Sequence, residues 1–185
     1  VVGDNTCDNS AYFGRLPISG SLSYFHNPAS MTVSENFNFA VSKAVGEYIL
    51  CLGDDDSVST HIIDAIDFLK SNNVDAGNFK MARFFWPDVA LNNNSYRAVV
   101  PYFSNKIRSL NSARMLKNSL ASGFQEIRYL PRCYHAVIRK KILDEVADKY
   151  GSRFPGPSPD MANAVCCLGL VNRHVYIDTP YIISG

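Results

Sequence analysis

Apolar and polar positions along this chain switch between two periods, about two residues and about 3.6. Val1 and Val2 read as the end of a strand, followed by a polar loop with Asp8, Asn9 and Ser10. Residues 22–25 are a second short strand candidate, broken by His26-Asn27-Pro28. From Thr32 the spacing becomes helical, with Val33, Phe37, Ala40, Val41 and Ala44 on one stripe. Thr32 and Glu35 have the separation of a capping box, and Gly46 is the expected stop. Residues 48–52 are an apolar run of strand length, punctuated by Gly46 and Gly53. Three consecutive carboxylates follow, Asp54, Asp55 and Asp56.

Beyond them, Ser57 or Ser59 is placed to cap a second helix, with Ile62, Ile63, Ile66 and Leu69 as its buried face and Ser71-Asn72-Asn73 as its end. Residues 76–79 and 81–86 look extended. Pro87 to Asn94 reads as loop, residues 98–100 as a strand and 109–120 as a weak helix with Ala113, Leu116 and Leu120 on one side. Residues 134–138 are a strand candidate. Residues 140–150 form a well-marked helix, with Ile142, Leu143, Val146 and Tyr150 on one stripe and Gly151 as cap. Ser158 suits an N-cap and Pro159 the first helical position, with Met161, Ala164, Val165 and Leu168 turned inward; residues 175–177 make a last strand before Pro180. Strands alternating with helices predict an α/β layered fold with a mainly parallel sheet.

The chain has 185 residues, 46% hydrophobic and 19% charged, which suits one globular domain with a real core. Net charge is +1 with no basic run, which argues against a nucleic-acid partner. The longest apolar stretches, 48–52 and 164–171, fall short of the ~20 residues a bilayer span needs. Five cysteines show no metal-ligand spacing, and an odd number argues against a disulfide framework. The first residue is Val inside an extended pattern, so the chain is expected to be a piece of a longer one.

The chemistry concentrates at the triplet. Adjacent like charges repel, and a cation makes such a cluster tolerable. Oxygen-only ligation points to a hard divalent ion, and Mg²⁺ accepts one or two carboxylates plus substrate phosphates. A metal–diphosphate site at the carboxyl end of a strand is one reading. A solvated turn capping the next helix is the other. Asp160 likewise reads either as a functional carboxylate or as an acid in a first helical turn, where it complements the helix dipole. The four histidines, His26, His61, His135 and His174, share no metal-ligand spacing. Trp86 with Phe84 and Phe85 suits a sugar-stacking surface or the core. Arg132, Arg139, Lys140 and Lys141 make a small basic cluster that reads best as a solvated helix start.

Three stretches together resemble the family 2 glycosyltransferases of the GT-A fold. They are residues 1–10, the run from Asn36-Phe37-Asn38 through Gly46-Glu47-Tyr48-Ile49 to Gly53-Asp54-Asp55-Asp56, and Ser158-Pro159-Asp160. The resemblance implies a Rossmann-like three-layer sandwich, N-terminally truncated, with the family's first strand and helix lying outside this sequence and the nucleotide pocket incomplete. It implies a nucleotide-sugar half, residues 1–70, and an acceptor half, residues 71–185. The implied reaction moves a sugar, with inversion, from a UDP-, GDP- or dTDP-sugar to a hydroxyl of a saccharide or lipid-linked saccharide. The setting would be cell-surface polysaccharide synthesis, in the cytoplasm or at the inner membrane face. Asp4 would hydrogen-bond the nucleotide base, Asn5, Asn36 and Asp55 would belong to the nucleotide-sugar site, and Asp54 would lie near the ribose. Asp56, with Asp54, would hold Mn²⁺ or Mg²⁺, and Asp160 would be the general base. A nucleotidyl or phosphoryl transferase built on the same site is the alternative enzyme. A truncated nucleotide-binding domain without activity is the alternative that is not one.

Overall fold

A computed structural model of the chain describes residues 1–4, 7–17, 21–87, 96–125 and 127–185, the side chain of Asp4 excepted. The elements run β1 (Val2–Asp4), α1 (Ser10–Phe13), β2 (Tyr24–His26), α2 (Val33–Lys43) and β3 (Tyr48–Leu50). There follow β4 (Ser57–Val58), α3 (Ile62–Ser71), β5 (Ala76–Phe85), β6 (Arg97–Val99), β7 (Ile107–Leu110) and α4 (Ser112–Ala121). The chain ends with β8 (Ala136–Arg139), α5 (Lys140–Tyr150), α6 (Pro159–Cys167) and β9 (His174–Ser184). Among the described residues no helix is long and apolar enough to cross a membrane.

Seven strands form one sheet in the order β3-β8-β5-β9-β4, with β6 alongside β5 and β7 alongside β9. The two-residue alternation of its strands builds two cores, one on each face. Ile49 of β3 and Ile138 of β8 face Val41 of α2, Ile142, Leu143 and Val146 of α5, and Cys167 of α6. Their strand neighbours, Tyr48, Leu50 and Val137, face Ile62, Ala65 and Leu69 of α3. Helices thus cover both faces, as the three-layer expectation requires. Gly77 is needed where β5 meets α3: a Cβ there would stand 2.9 Å from Leu69 Cδ1.

The sheet is mixed, not mainly parallel. Among the described residues only β5 and β9 pair in parallel within it; β3–β8, β4–β9, β5–β6, β5–β8 and β7–β9 are antiparallel. The physical reason is pairing with distant partners: β3–β8, β4–β9, β5–β8 and β7–β9 join segments far apart in the chain, and the direction of each pair is not set by a local βαβ crossover. β1 and β2 form a separate parallel pair, with α2 packed beneath β1.

Local expectations fared unevenly. The capping box forms, with Glu35 N–H donating to Thr32 Oγ1 at 3.3 Å and Thr32 N–H donating to Glu35 Oε2 at 2.7 Å. α5 has its expected bounds, and Gly151 caps it in the left-handed conformation, φ 78°. Gly46 does not stop α2, which ends at Lys43 with an extended Ala44. Neither Ser57 nor Ser59 caps α3. Ser57 pairs with Ile183 of β9, and the N-cap position belongs to His61 without a side-chain bond. Ile63 is exposed. Residues 76–79 and 81–86 prove to be one strand, β5, and β9 runs straight through Pro180, where its pairing with β5 shifts register. The expected turn at Asn92-Asn93-Asn94 lies outside the described residues.

Candidate functional site

A cavity of about 670 Å³ opens where β1, the first turns of α2, the turn after β3 and the start of α6 meet. Gly3, Asn36, Phe37, Gly53, Asp54, Tyr134 and Asp160 line it. It sits at the carboxyl ends of β1 and β3, where open α/β sheets bind ligands.

Asp54 stands exposed at its lip, and Asp55 is exposed beside it. Asp160 reaches the cavity from the first turn of α6, where Pro159 fixes the helix start, and Ser158 Oγ donates to its Oδ1 at 3.0 Å. Asn36 comes from the second turn-face of α2 and donates from Nδ2 to Gly3 O at 3.3 Å, pinning β1 to the helix. Its Oδ1 is shielded from solvent and has no partner among the described residues. The structure therefore brings Asn36, Asp54 and Asp160 to one cavity. Asp4 contributes backbone to the end of β1, its side chain lying outside the described part, as does Asn5 entirely.

Asp56 turns the other way. Its side chain is only 2% exposed. Oδ2 accepts from His135 Nε2 at 2.6 Å, Gly53 N–H at 2.8 Å and Tyr134 Oη at 3.2 Å, and Oδ1 accepts from Gly185 N–H at 3.2 Å. Burial pushes this carboxyl up, but the bonds from His135 and Gly53 outweigh it and hold the group below the usual carboxylate range. Tyr134 goes the opposite way, raised by burial and by the Asp56 carboxylate, so its hydroxyl keeps its proton.

The donor set bears directly on a metal. Among the described residues no three metal-ligating side chains converge. The triplet offers a divalent ion two exposed carboxylates, Asp54 and Asp55, and Asp56 only if the ion displaces His135. That does not fit a resident ion in a protein cage. Two exposed carboxylates would suit an ion that keeps waters and substrate phosphates in its shell.

Other candidates have structural posts. His174 is 2% exposed and bonds Asn78 at 2.7 Å, away from the carboxylates. Arg132 is buried and binds the carbonyls of Ile127 and Tyr134. Arg139 holds Asn73 and Tyr48, and Lys140 holds Asp144. Trp86 lies 43% exposed with its ring edge-on to Phe84.

No family model matches the chain, and no curated protein sequence does. Solved structures do. S. aureus TarS 1-349 in complex with UDP-GlcNAc aligns with TM-score 0.67 at 18% identity, over 98% of this chain and 47% of that one. The fold is GT-A-like. A second crystal structure of S. aureus TarS 1-349 aligns with TM-score 0.59 at 18% identity, over 95% and 45% of the two chains. S. aureus TarS aligns with TM-score 0.61 at 18% identity, over 96% and 29%. The present chain spans about half the length of TarS 1-349.

Tyr134 and His135 are the site residues that sequence reasoning passed over. His135 has no partner at ligand spacing, and its bond to Asp56 joins positions 79 residues apart. The left-handed backbone at His135, φ 55°, leaves no mark in the sequence either.

Proposed function

We propose that this chain is the catalytic core of an inverting glycosyltransferase that uses a nucleotide-diphosphate sugar, related to the family 2 enzymes. One observation carries the reading: Asp54 and Asp160, 106 positions apart by subtraction (160 − 54), line a single cavity at the carboxyl ends of β1 and β3. The GT-A-like fold, and a structural neighbour holding UDP-GlcNAc, support a UDP-sugar as the first donor to test. The acceptor is a saccharide hydroxyl, and the product a cell-surface glycan.

In this reading the acceptor oxygen attacks the anomeric carbon as the bond to the diphosphate oxygen breaks. Asp160 takes the proton the acceptor loses. It sits in the first turn of α6, and the Ser158 hydroxyl fixes one of its oxygens. Asn36 holds β1 against α2 and so sets the cavity's width. A divalent ion, Mn²⁺ or Mg²⁺, supplies Lewis-acid neutralisation of the leaving diphosphate when bound. Asp54, whose carboxylate is exposed, would hold it.

The test is release of UDP from UDP-GlcNAc with saccharide acceptors, alongside calorimetric binding of UDP, GDP and dTDP with and without Mn²⁺. Asp160→Asn should lower turnover by about 10²–10⁴-fold with nucleotide binding intact. Undiminished turnover in that variant, or a folded chain that binds none of the nucleotides, defeats the proposal.

A further inference from the structure

The corner formed by Tyr134 and His135 is held more firmly than a loop between α4 and β8 requires. Cys51 N–H donates to Cys133 O at 2.8 Å, and His135 N–H donates back to Cys51 O at 3.1 Å. Arg132 Nε donates to Tyr134 O at 2.8 Å. Within this frame His135 adopts φ 55°, a region non-glycine residues enter at a cost of about 1–3 kcal/mol when the surroundings impose it. What the surroundings obtain is the His135 imidazole at Asp56, with the Tyr134 ring stacked on it at a centroid distance of 4.1 Å. On another side the same ring meets Phe37 edge-on at 5.9 Å. The ring is thereby presented to the cavity, which it lines together with Asp54 and Asp160.

We propose that Tyr134 contacts the ligand in this cavity and that the Asp56–His135 pair is the clamp that positions it. The inference rests on the donor-site reading above and adds the chemistry of one contact. Tyr134 Oη spends its proton on Asp56 Oδ2 at 3.2 Å, so it faces the cavity as an acceptor. Asp54 and Asp160, which line the same cavity, are acceptors too. A wall of acceptors suits the hydroxyls of a polyol, a pyranose or a ribose, and disfavours bare phosphate oxygens.

The experiment is calorimetric titration of UDP-GlcNAc and of UDP, with and without Mn²⁺, on the chain and on Tyr134→Phe. Losing one neutral hydrogen bond should weaken binding by the folded variant about fivefold. Weakening confined to UDP-GlcNAc assigns the contact to the pyranose, and equal weakening for UDP assigns it to the ribose. Unchanged affinity for both overturns the proposal while leaving the donor site standing. A wild-type chain that is folded yet binds neither probe overturns the donor-site reading and this one with it.

The clamp is tested by His135→Phe and His135→Gln. His135→Phe should weaken binding about as much as Tyr134→Phe, and the double variant should lose no more than either alone, because both act through one contact. Gln, which retains an N–H near the imidazole Nε2 position, should restore most of the affinity. Additive losses, or no rescue by Gln, overturn the clamp. If His135→Phe fails to fold, the Gln and Tyr134→Phe comparisons decide.

Discussion

Acidification from about pH 6.5 to about pH 5 should weaken the fold by about 2 kcal/mol through a single side chain, His174. This imidazole is 2% exposed. Asn78 donates from Nδ2 to Arg128 O at 2.6 Å and Leu130 O at 2.9 Å, which fixes the amide and leaves Oδ1 facing His174 Nε2 at 2.7 Å. His174 must therefore carry its proton on Nε2, and its Nδ1 is buried with no partner among the described residues. A second proton on Nδ1 would be a buried charge with nothing to receive it. Burial first, and the nearby Arg132 cation second, push the pKa from 6.5 down to about 3. The sign follows. Between those values the unfolded chain takes up a proton that the folded chain refuses, so stability falls as pH falls. At about 1.4 kcal/mol for each pH unit, 1.5 units give the figure above. The assay is urea unfolding followed by circular dichroism at several pH values, on wild type and His174→Gln. Glutamine can keep the bond to Asn78 but does not titrate, so its stability should decline less by that same amount. Parallel decline of the two proteins would refute the assignment.

Two further outcomes follow from local geometry. Asp178 is held down to about 2, first by the Ser104 hydroxyl and then by Lys80, so its contribution is present above about pH 4 and is lost as pH falls toward about 2; Asp178→Asn should be less stable than wild type above about pH 4 in urea unfolding, and the difference should vanish as pH falls toward about 2. Thr32→Ala removes one half of the capping box and should cost about 1 kcal/mol in urea unfolding, and no loss would mean that α2 is held by its packing alone.

Elements whose signal is local were readable in the sequence. α5 carries a strong apolar stripe and a glycine cap, and α2 carries a capping box; both stand where those signals put them. β4 and β7 were not readable. Ser57 resembles a helix cap because its true partner, Ile183, lies far along the chain. β7 is almost wholly exposed, so it shows no alternation, and it exists because β9 offers it an edge. Strand direction failed for the same reason, being set by distant partners and not by the residues of the strand. At the site, Asn36, Asp54 and Asp160 were legible as residue types in context, and the cavity unites them. The inward turn of Asp56 was not, since nothing near it in sequence announces Tyr134 or His135.

The long parallel pairing of β5 with β9 has a kinetic consequence. Ala76 lies opposite His174, 98 positions later by subtraction (174 − 76), and the register continues to Arg83 and Ser184. The centre of the sheet therefore forms only after a very long loop has closed. Loop closure costs little extra stability, about 0.6 kcal/mol for each doubling of length, but non-local pairing of this kind slows folding. While the chain waits, β5 holds an apolar strand with one edge open, the species most exposed to pairing with a neighbour. Refolding yield should then depend on protein concentration long before equilibrium stability does.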